Sequence, residues 1–174
     1  MSARQIKDWL ATILDRTGNP TDTQGMATEL NLPSIVWDFD EEKRAGAYGT
    51  KSYRLSPEPM ETSMTFMGMS PELHDAIIDS FEANGELTLQ LDGAAENVEI
   101  GNSIKYQVVM RGPVAQIPFG NFTAQENAEF ELSMKVNYIK RIFGSSIFIY
   151  DPDNWELSLN GRNLLQSKKD ALGL

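Results

Sequence analysis

The chain has 174 residues, enough for one domain with a buried core. It carries 25 acidic and 15 basic side chains, one His and no Cys, for a formal net charge of −10. The missing Cys excludes disulfides, thiolate zinc sites and a cysteine nucleophile. The acidity argues against a nucleic-acid binder that grips phosphates with a basic surface. The sequence has no apolar run near the roughly 20 residues that span a bilayer.

The charge is unevenly distributed along the chain. The segment Leu55–Ile104 holds ten acidic residues and no Lys or Arg, whereas the remaining fifteen acids and fifteen bases balance. One stretch therefore carries the whole net charge. It is either a solvated surface that keeps the protein soluble or an acidic wall facing something that must not adhere to it.

The N-terminal half is expected to contain two alternating strands separated by a long polar loop. Gln5–Leu14 is ambiguous between helix and strand. Ile35–Glu41 and Glu61–Met67 alternate apolar and polar side chains, which is typical of a strand covered on one side. Between them lies a basic segment, about residues 42–57, that is far longer than a tight hairpin needs. Such length indicates a functional or mobile loop.

A helix is predicted over about residues 70–83. Ser70 is a good N-cap residue, and Pro71 follows at the first helical position, where its missing N–H costs nothing. An apolar stripe follows at helical spacing and would face the core, formed by Leu73, Ala76, Ile77 and Phe81. Asn84–Gly85 would end the helix.

The C-terminal half is again dominated by alternating segments, which predict antiparallel sheets with one polar face each. The predicted strands are Glu86–Leu91, Ile104–Met110, Phe130–Tyr138, Ser146–Tyr150 and Glu156–Leu159. A shorter helix is expected from about Asn163 to Leu172. The fold class is therefore mainly β, with one clear flanking helix.

The sequence offers no catalytic constellation. The single His, His74, lies on the predicted helix without a nucleophile or metal partner fixed by a motif. Asp38 and Asp40 mark the polar face of a strand rather than a glycosidase pair. Asp151–Asn154 has the residue types of a calcium loop but not the spacing, and is typical of a turn. We therefore expect a structural or binding protein without enzyme activity, cofactor or metal.

An ordered set of short motifs gives the sequence a resemblance to a known family. The motifs are Leu32–Pro33, Arg44–Gly49, the Met-rich segment Met60–Met69 with its helix, Val108–Gly112, Tyr138–Phe143, Asn160–Gly161 and Gly173–Leu174. In this order and spacing the chain resembles the major tail tube protein of contractile-tailed bacteriophages and the related tubes of R-type tailocins. The resemblance covers about residues 25–174. It departs at the N-terminal twenty-odd residues and at Pro113–Ala128.

The resemblance implies a single tail tube domain over residues 1–174, an antiparallel β-sandwich or barrel with a flanking helix and a C-terminal arm at about 160–174. Six subunits would form a ring whose sheets join into one barrel around a lumen. Stacked rings would form the tube inside a contracting sheath. Implied partners are other copies of the chain, the sheath, tape-measure, baseplate and tail-terminator proteins, and genomic DNA as non-specific cargo. The location would be the virion tail, assembled in the host bacterial cytoplasm.

Under this resemblance two groups of residues gain expected roles. The basic segment would be a ring-stacking loop that meets acidic surface on the next ring, through Lys43, Arg44, Gly46, Tyr48, Gly49, Lys51, Tyr53 and Arg54. The polar strand faces would line the lumen, through Asp38, Asp40, Glu61, Ser63, Thr65, Gln107, Glu131 and Ser133. The apolar faces of the same strands would be buried. Lys105 and Lys135 fall on the polar faces, so either they pair with acids or the assumed register is off by one.

Two alternative functions stay open at this stage. A tailocin tube or a type VI secretion tube shares the implied architecture. A carbohydrate-binding β-sandwich would use exposed aromatic residues such as Tyr48, Tyr53 and Trp155 beside the Asp151–Asn154 turn.

Overall fold

The computed structural model describes residues 4–14, 18–46, 48–82, 86–97 and 101–174, with Phe81 and Glu82 described for their backbone only. The described residues form thirteen strands and two helices. The strands are β1 (Gln5–Leu14), β2 (Pro20–Asp22), β3 (Ala27–Asn31), β4 (Trp37–Glu42), β5 (Lys51–Pro57), β6 (Met60–Met67), β7 (Glu86–Asn97), β8 (Asn102–Gln116), β9 (Glu129–Val136), β10 (Tyr138–Phe143), β11 (Ser146–Asp151), β12 (Glu156–Leu159) and β13 (Arg162–Asn163). The helices are α1 (Pro71–Glu82) and α2 (Gln166–Leu172). Neither helix is long and apolar enough to cross a membrane.

Eleven of the described strands form two sheets that share β8, and every pairing is antiparallel. The long sheet has the order β13-β12-β11-β10-β8-β7-β1-β2. The short sheet has the order β3-β6-β9, and β9 pairs with the C-terminal end of β8. A third, two-stranded sheet consists of β4 and β5 alone. The predicted mainly β, antiparallel fold class is confirmed.

Strand β8 passes from the long sheet to the short one at Gly112. Gly112 still pairs with Leu87 of β7, whereas Val114 pairs with Met134 of β9. A Cβ atom at position 112 would lie 2.0 Å from the carbonyl oxygen of Lys135. Only glycine permits this approach of two backbones, so the residue fixes the point where β8 changes sheets.

The inner faces of the two sheets enclose one apolar core. Met64, Phe66 and Leu132 enter it from the short sheet, and Leu89 and Met110 enter it from the long sheet. Each is almost completely buried. Burial of such a side chain contributes roughly 1.5–3 kcal/mol, so this core supplies the main driving force for folding.

Helix α1 closes the core beside β1, β2, β7 and β8. The backbone N–H of Leu73 donates to Ser70 Oγ at 3.2 Å, which is the predicted N-cap bond. Leu73, Ala76 and Ile77 are buried. The predicted helix and its inward stripe are confirmed at these positions, whereas the Phe81 side chain and the Asn84–Gly85 stop lie outside the described residues.

Several sequence expectations about the elements need correction. Gln5–Leu14 is a strand, and β8 extends six residues beyond Met110. The predicted strand Phe130–Tyr138 is broken at Asn137, whose N–H donates to the Arg111 carbonyl, so Tyr138 begins β10. The predicted loop over residues 42–57 is mostly a hairpin, because Lys51–Pro57 pairs with β4.

Candidate functional site

The β4–β5 hairpin carries most of the residues predicted to stack rings. Lys51, Tyr53 and Arg54 lie on β5 rather than in a loop. The remaining five lie in the connection between the strands or just after β4: Lys43, Arg44, Gly46, Tyr48 and Gly49. None of the described residues from Val36 to Pro59 is buried. The hairpin is therefore an exposed arm outside the core.

Cations and aromatic rings are packed together on this arm. The Arg44 guanidinium lies 5.7 Å from the Tyr53 ring centroid, and Lys51 Nζ lies 5.2 Å from the same centroid. Arg54 lies 5.0 Å from the Trp37 ring centroid. Such contacts hold a cation over an aromatic face and contribute about 0.5–1 kcal/mol at exposed sites. Tyr48, at the tip, is fully exposed.

Two carboxyl groups meet at the base of the hairpin. The Glu58 N–H donates to the Val36 carbonyl at 2.8 Å, which closes the strand pair. A hydrogen bond with Asp38 raises the pKa of the Glu58 carboxyl, and the nearby Asp38 charge raises that pKa further. Glu58 therefore holds its proton to a higher pH than an isolated glutamate.

The outer face of the short sheet gathers five of the residues predicted to face the lumen. Cross-strand pairing places Ser63 opposite Ser133 and Thr65 opposite Glu131, with Glu61 further along β6. Their neighbours along each strand point into the core. The five therefore share one polar face, on which Ser133 is buried and the other four are at least partly exposed.

Lys135 lies on that same surface and pairs with an acid. This pairing was one of the two alternatives that the sequence left open for the lysines. Its Nζ is 2.5 Å from Glu61 Oε2. On the long sheet, Lys105 Nζ is 3.7 Å from Asp92 Oδ1. Both lysines therefore pair with an acid, which is the first of the two alternatives stated for them.

The other three residues predicted to face the lumen lie elsewhere. Gln107 is on the long-sheet part of β8, where its Nε2 donates to Asp92 Oδ1 at 2.7 Å. Asp38 and Asp40 lie on the hairpin. The expectation that the apolar face of the predicted strand Ile35–Glu41 is buried is wrong at Phe39, which is 62% exposed, whereas Ile35 packs against the core. The structure therefore brings five of the eight residues together.

Sequence reasoning missed β3, which adds two polar side chains to the short-sheet face. Glu29 pairs opposite Thr65, and Asn31 pairs opposite Ser63. Asn31 Nδ2 donates to Ser63 Oγ at 3.3 Å and to Glu29 Oε1 at 3.1 Å. The only sequence signal for β3 was the short alternation Glu29, Leu30, Asn31. This alternation does not continue to Ala27, because the pairing register with β6 shifts between Ala27 and Glu29.

Comparison with known proteins decides what this architecture is. A family model described as phage tail tube protein FII matches residues 18–173. The chain belongs to this family. It is a structural subunit of a phage tail tube, a virion component and not an enzyme, as the sequence resemblance implied.

Individual relatives are distant in sequence. The tail tube protein of Escherichia phage P2 is 24% identical over 155 residues, covering 87% of this chain and 89% of the relative. A chain in the extended-state sheath/tube terminator of the contractile injection system PVC is 12% identical with a TM-score of 0.58, covering 80% of this chain and 96% of its own. A chain of the anti-feeding prophage baseplate is 14% identical with a TM-score of 0.49, covering 82% of this chain and 97% of its own.

The residues considered above for catalysis or calcium binding have ordinary structural roles. His74 Nδ1 lies 3.7 Å from Asp75 Oδ1 on the outer side of α1. Asp151 accepts hydrogen bonds from the backbone and side chain of Asn154, which closes a turn. In the described part of the chain, no three His, Asp or Glu side chains lie close enough together to hold a metal ion.

Proposed function

We propose that the chain assembles into hexameric rings that stack into the inner tube of a contractile tail, through which DNA passes. Membership of the tail tube family supports this proposal. The observation that carries it is the short sheet, whose outer strands have open edges. Among the described strands, β3 pairs with β6 alone, and residues 114–116 of β8 pair with β9 alone. Pairing of these edges between copies would close a barrel and remove exposed edges.

In the proposed ring the outer face of the short sheet lines the channel. Five predicted residues and two from β3 form this lining: Glu29, Asn31, Glu61, Ser63, Thr65, Glu131 and Ser133. Lys135 is paired with Glu61, so the surface stays acidic. An acidic wall repels phosphate within about 8 Å at physiological ionic strength, so DNA slides without binding. Gln107, Asp38 and Asp40 lie on other surfaces and are left out of this lining.

The hairpin is the proposed stacking element. It presents Lys43, Arg44, Lys51 and Arg54 with Tyr48 and Tyr53, and Gly46 and Gly49 adopt positive φ in the connection between the two strands. The connection and β5 carry these four cations, whereas the four carboxylates of the hairpin lie on β4, so the cationic part of the arm fits an acidic surface on the next ring. The sheath, tape-measure, baseplate and terminator proteins are the further proposed partners, with assembly in the host bacterial cytoplasm before incorporation into the virion.

Electron microscopy of the purified protein tests ring and tube formation. Negatively stained samples at high concentration are expected to show six-membered rings or tubes. Strictly monomeric protein across the concentration range would contradict the proposal.

A charge reversal tests the channel lining. Phage carrying Thr65→Lys with Glu131→Lys is expected to assemble tails but to release DNA several-fold more slowly, because paired cations would hold the phosphates. Gln107→Lys adds one positive charge on the other sheet and is the control for position, since its side chain lies on the long sheet. Equal release from both variants and the wild type would remove this face from the channel.

A further inference from the structure

The segment between β8 and β9 exposes two large aromatic side chains. Phe119 and Phe122 are each 78% exposed. We name residues 117–128 the Phe loop. Exposed aromatic side chains that lie close together mark interaction surfaces, because each can remove a large apolar area from water on binding.

Backbone and ring contacts hold the Phe loop in place. The Asn121 N–H donates to the Glu129 carbonyl at 2.8 Å, and Glu129 donates back at 3.3 Å. Gly120 has φ +85°, and a Cβ there would lie 2.7 Å from the Phe130 ring. Phe122 meets the same ring edge-on, with centroids 6.2 Å apart. The loop that carries Phe119 and Phe122 is therefore held in place by these backbone and ring contacts.

A groove of about 480 Å³ lies between the hairpin base and the C-terminal segment. Its walls include Trp37, Leu55, Trp155 and Leu157. Leu55 is among the exposed large apolar residues. The groove is wide enough for an aromatic side chain, and it is open to solvent at Leu55 and Trp155, whereas Leu157 is buried and Arg54 lies over the Trp37 ring. We name it the Trp groove.

The Phe loop and the Trp groove lie at opposite ends of β6. Residues of β5 that line the groove precede Met60, the first residue of β6. At the other end, Met67 pairs with Glu129, which bonds to Asn121 of the Phe loop. Eight residues of strand span about 23 Å. Copies arranged head to tail along this direction bring the loop of one subunit to the groove of the next.

The charges of the two surfaces are opposite. The Phe loop carries Glu126 and is followed by Glu129, and the sequence from 113 to 131 contains no Lys or Arg. The described residues that line the Trp groove include two cations, Arg54 and Lys168, and no carboxylate. Opposite charges around an apolar contact favour this docking and disfavour groove-to-groove pairing.

We propose that Phe119 and Phe122 of one subunit insert into the Trp groove of a second copy in the adjacent ring. This inference rests on the proposed ring stack and names a contact within it. The surfaces differ and lie at opposite ends, so the contact is heterologous and propagates along an axis instead of closing on itself. The hairpin and the Phe loop then stabilise the same ring-to-ring interface from its two sides.

Cysteine cross-linking tests the contact, because the sequence has no native cysteine that could form other disulfides. The double variant Phe119→Cys with Leu55→Cys is expected to form a disulfide ladder of dimers, trimers and longer species on non-reducing gels of oxidised tubes. Phe119→Cys with Ile147→Cys is the control, because Ile147 is exposed on the outer face of β11, away from the groove. Equal ladders from both variants, or none from either in tubes seen by microscopy, would overturn the inference.

Removal of the two phenylalanine side chains provides an independent test. Phe119→Ala with Phe122→Ala is expected to leave the thermal unfolding midpoint within about two degrees and to shorten tubes at least tenfold. Leu159→Ala, also at an exposed apolar residue, is the control and should form tubes of normal length. Normal tubes from the double variant would overturn the Phe-loop contact alone, whereas failure of the wild type to form rings would overturn the proposed function.

Discussion

The body of the molecule and its β4–β5 hairpin are stabilised in different ways. In the body, Phe66, Met110 and Leu73 are completely buried from three different elements. In the hairpin, two strands pair with each other, and the described residues from Val36 to Pro59 are all at least partly exposed. An isolated two-stranded hairpin is at best marginally stable in water. The body can therefore fold from its own contacts, whereas the hairpin gains little burial from the described part of the chain.

This difference separates sequence changes that affect folding from those that affect assembly. Removing a buried side chain leaves a cavity in the body, and its cost appears in the free energy of unfolding. Removing a hairpin side chain changes a surface that water already reaches. The same type of substitution is therefore expected to have opposite consequences in the two regions.

The largest expected effect on stability comes from matched phenylalanine truncations in the two regions. Phe66→Ala should lower the free energy of unfolding by about 3–5 kcal/mol, because the ring is fully buried. Phe39→Ala should change it by less than about 0.5 kcal/mol, because Phe39 is mostly exposed. Chemical denaturation measures both. Similar losses at the two positions would mean that the hairpin belongs to the folded core.

Shortening the hairpin tests the other side of the comparison. Glu42 and Lys51 are cross-strand partners, so Asn-Gly can replace residues 43–50 as a two-residue turn. The body should unfold at the wild-type denaturant midpoint, whereas stacking of rings into tubes should be lost in electron micrographs. Replacing the same residues with a Gly-Ser segment of equal length separates the effect of loop length from that of its charged side chains. Normal tubes from both variants would remove the stacking role.

The helix cap belongs to the body and predicts a smaller effect. Ser70→Ala removes the acceptor for the Leu73 N–H and should cost about 1 kcal/mol of unfolding free energy. Ser70→Asp is the matched control, since it keeps an acceptor at the N-cap. Both proteins should assemble like the wild type. A loss of assembly without a loss of stability would place the start of α1 in an interface.

The smallest expected effect is a pH dependence confined to the hairpin base. The pKa of Glu58 is raised in the folded chain, so the protonated form stabilises the strand pair at low pH. This contribution is lost as the pH rises through the raised pKa. A carboxyl-carbon NMR titration should show Glu58 titrating above a reference glutamate, and Asp38→Asn should bring it back toward the ordinary value. An ordinary Glu58 titration in the wild type would contradict the contact with Asp38.

Local patterns predicted the elements whose side chains enter the core. Alternation located β6 and most of β9, and the Ser70–Pro71 cap with its apolar stripe located α1. The same rule failed for β4, because alternation indicates two different faces but not that either is buried. Phe39 alternates correctly and is still exposed. The basic composition of β5 also obscured a strand whose stability does not come from burial.

The candidate site was predictable only where residues share neighbouring strands. Ser63 and Thr65 on β6 meet Ser133 and Glu131 on β9, and the alternation of each strand assigned them correctly to one polar face. Gln107 alternates in the same way but lies before Gly112, on the part of β8 that belongs to the other sheet. Which sheet a strand joins depends on long-range pairing, which no local pattern specifies.

The shared strand β8 also has a mechanical consequence. Because Gly112 lets one continuous backbone run through both sheets, force that enters the short sheet reaches the long sheet along covalent bonds as well as through side-chain packing. In a tube under axial load, the two sheets of a subunit would deform together instead of sliding across their common core. A bulkier residue at position 112 would weaken this mechanical coupling between the two sheets, because its Cβ would displace the Lys135 carbonyl where β8 passes from one sheet to the other.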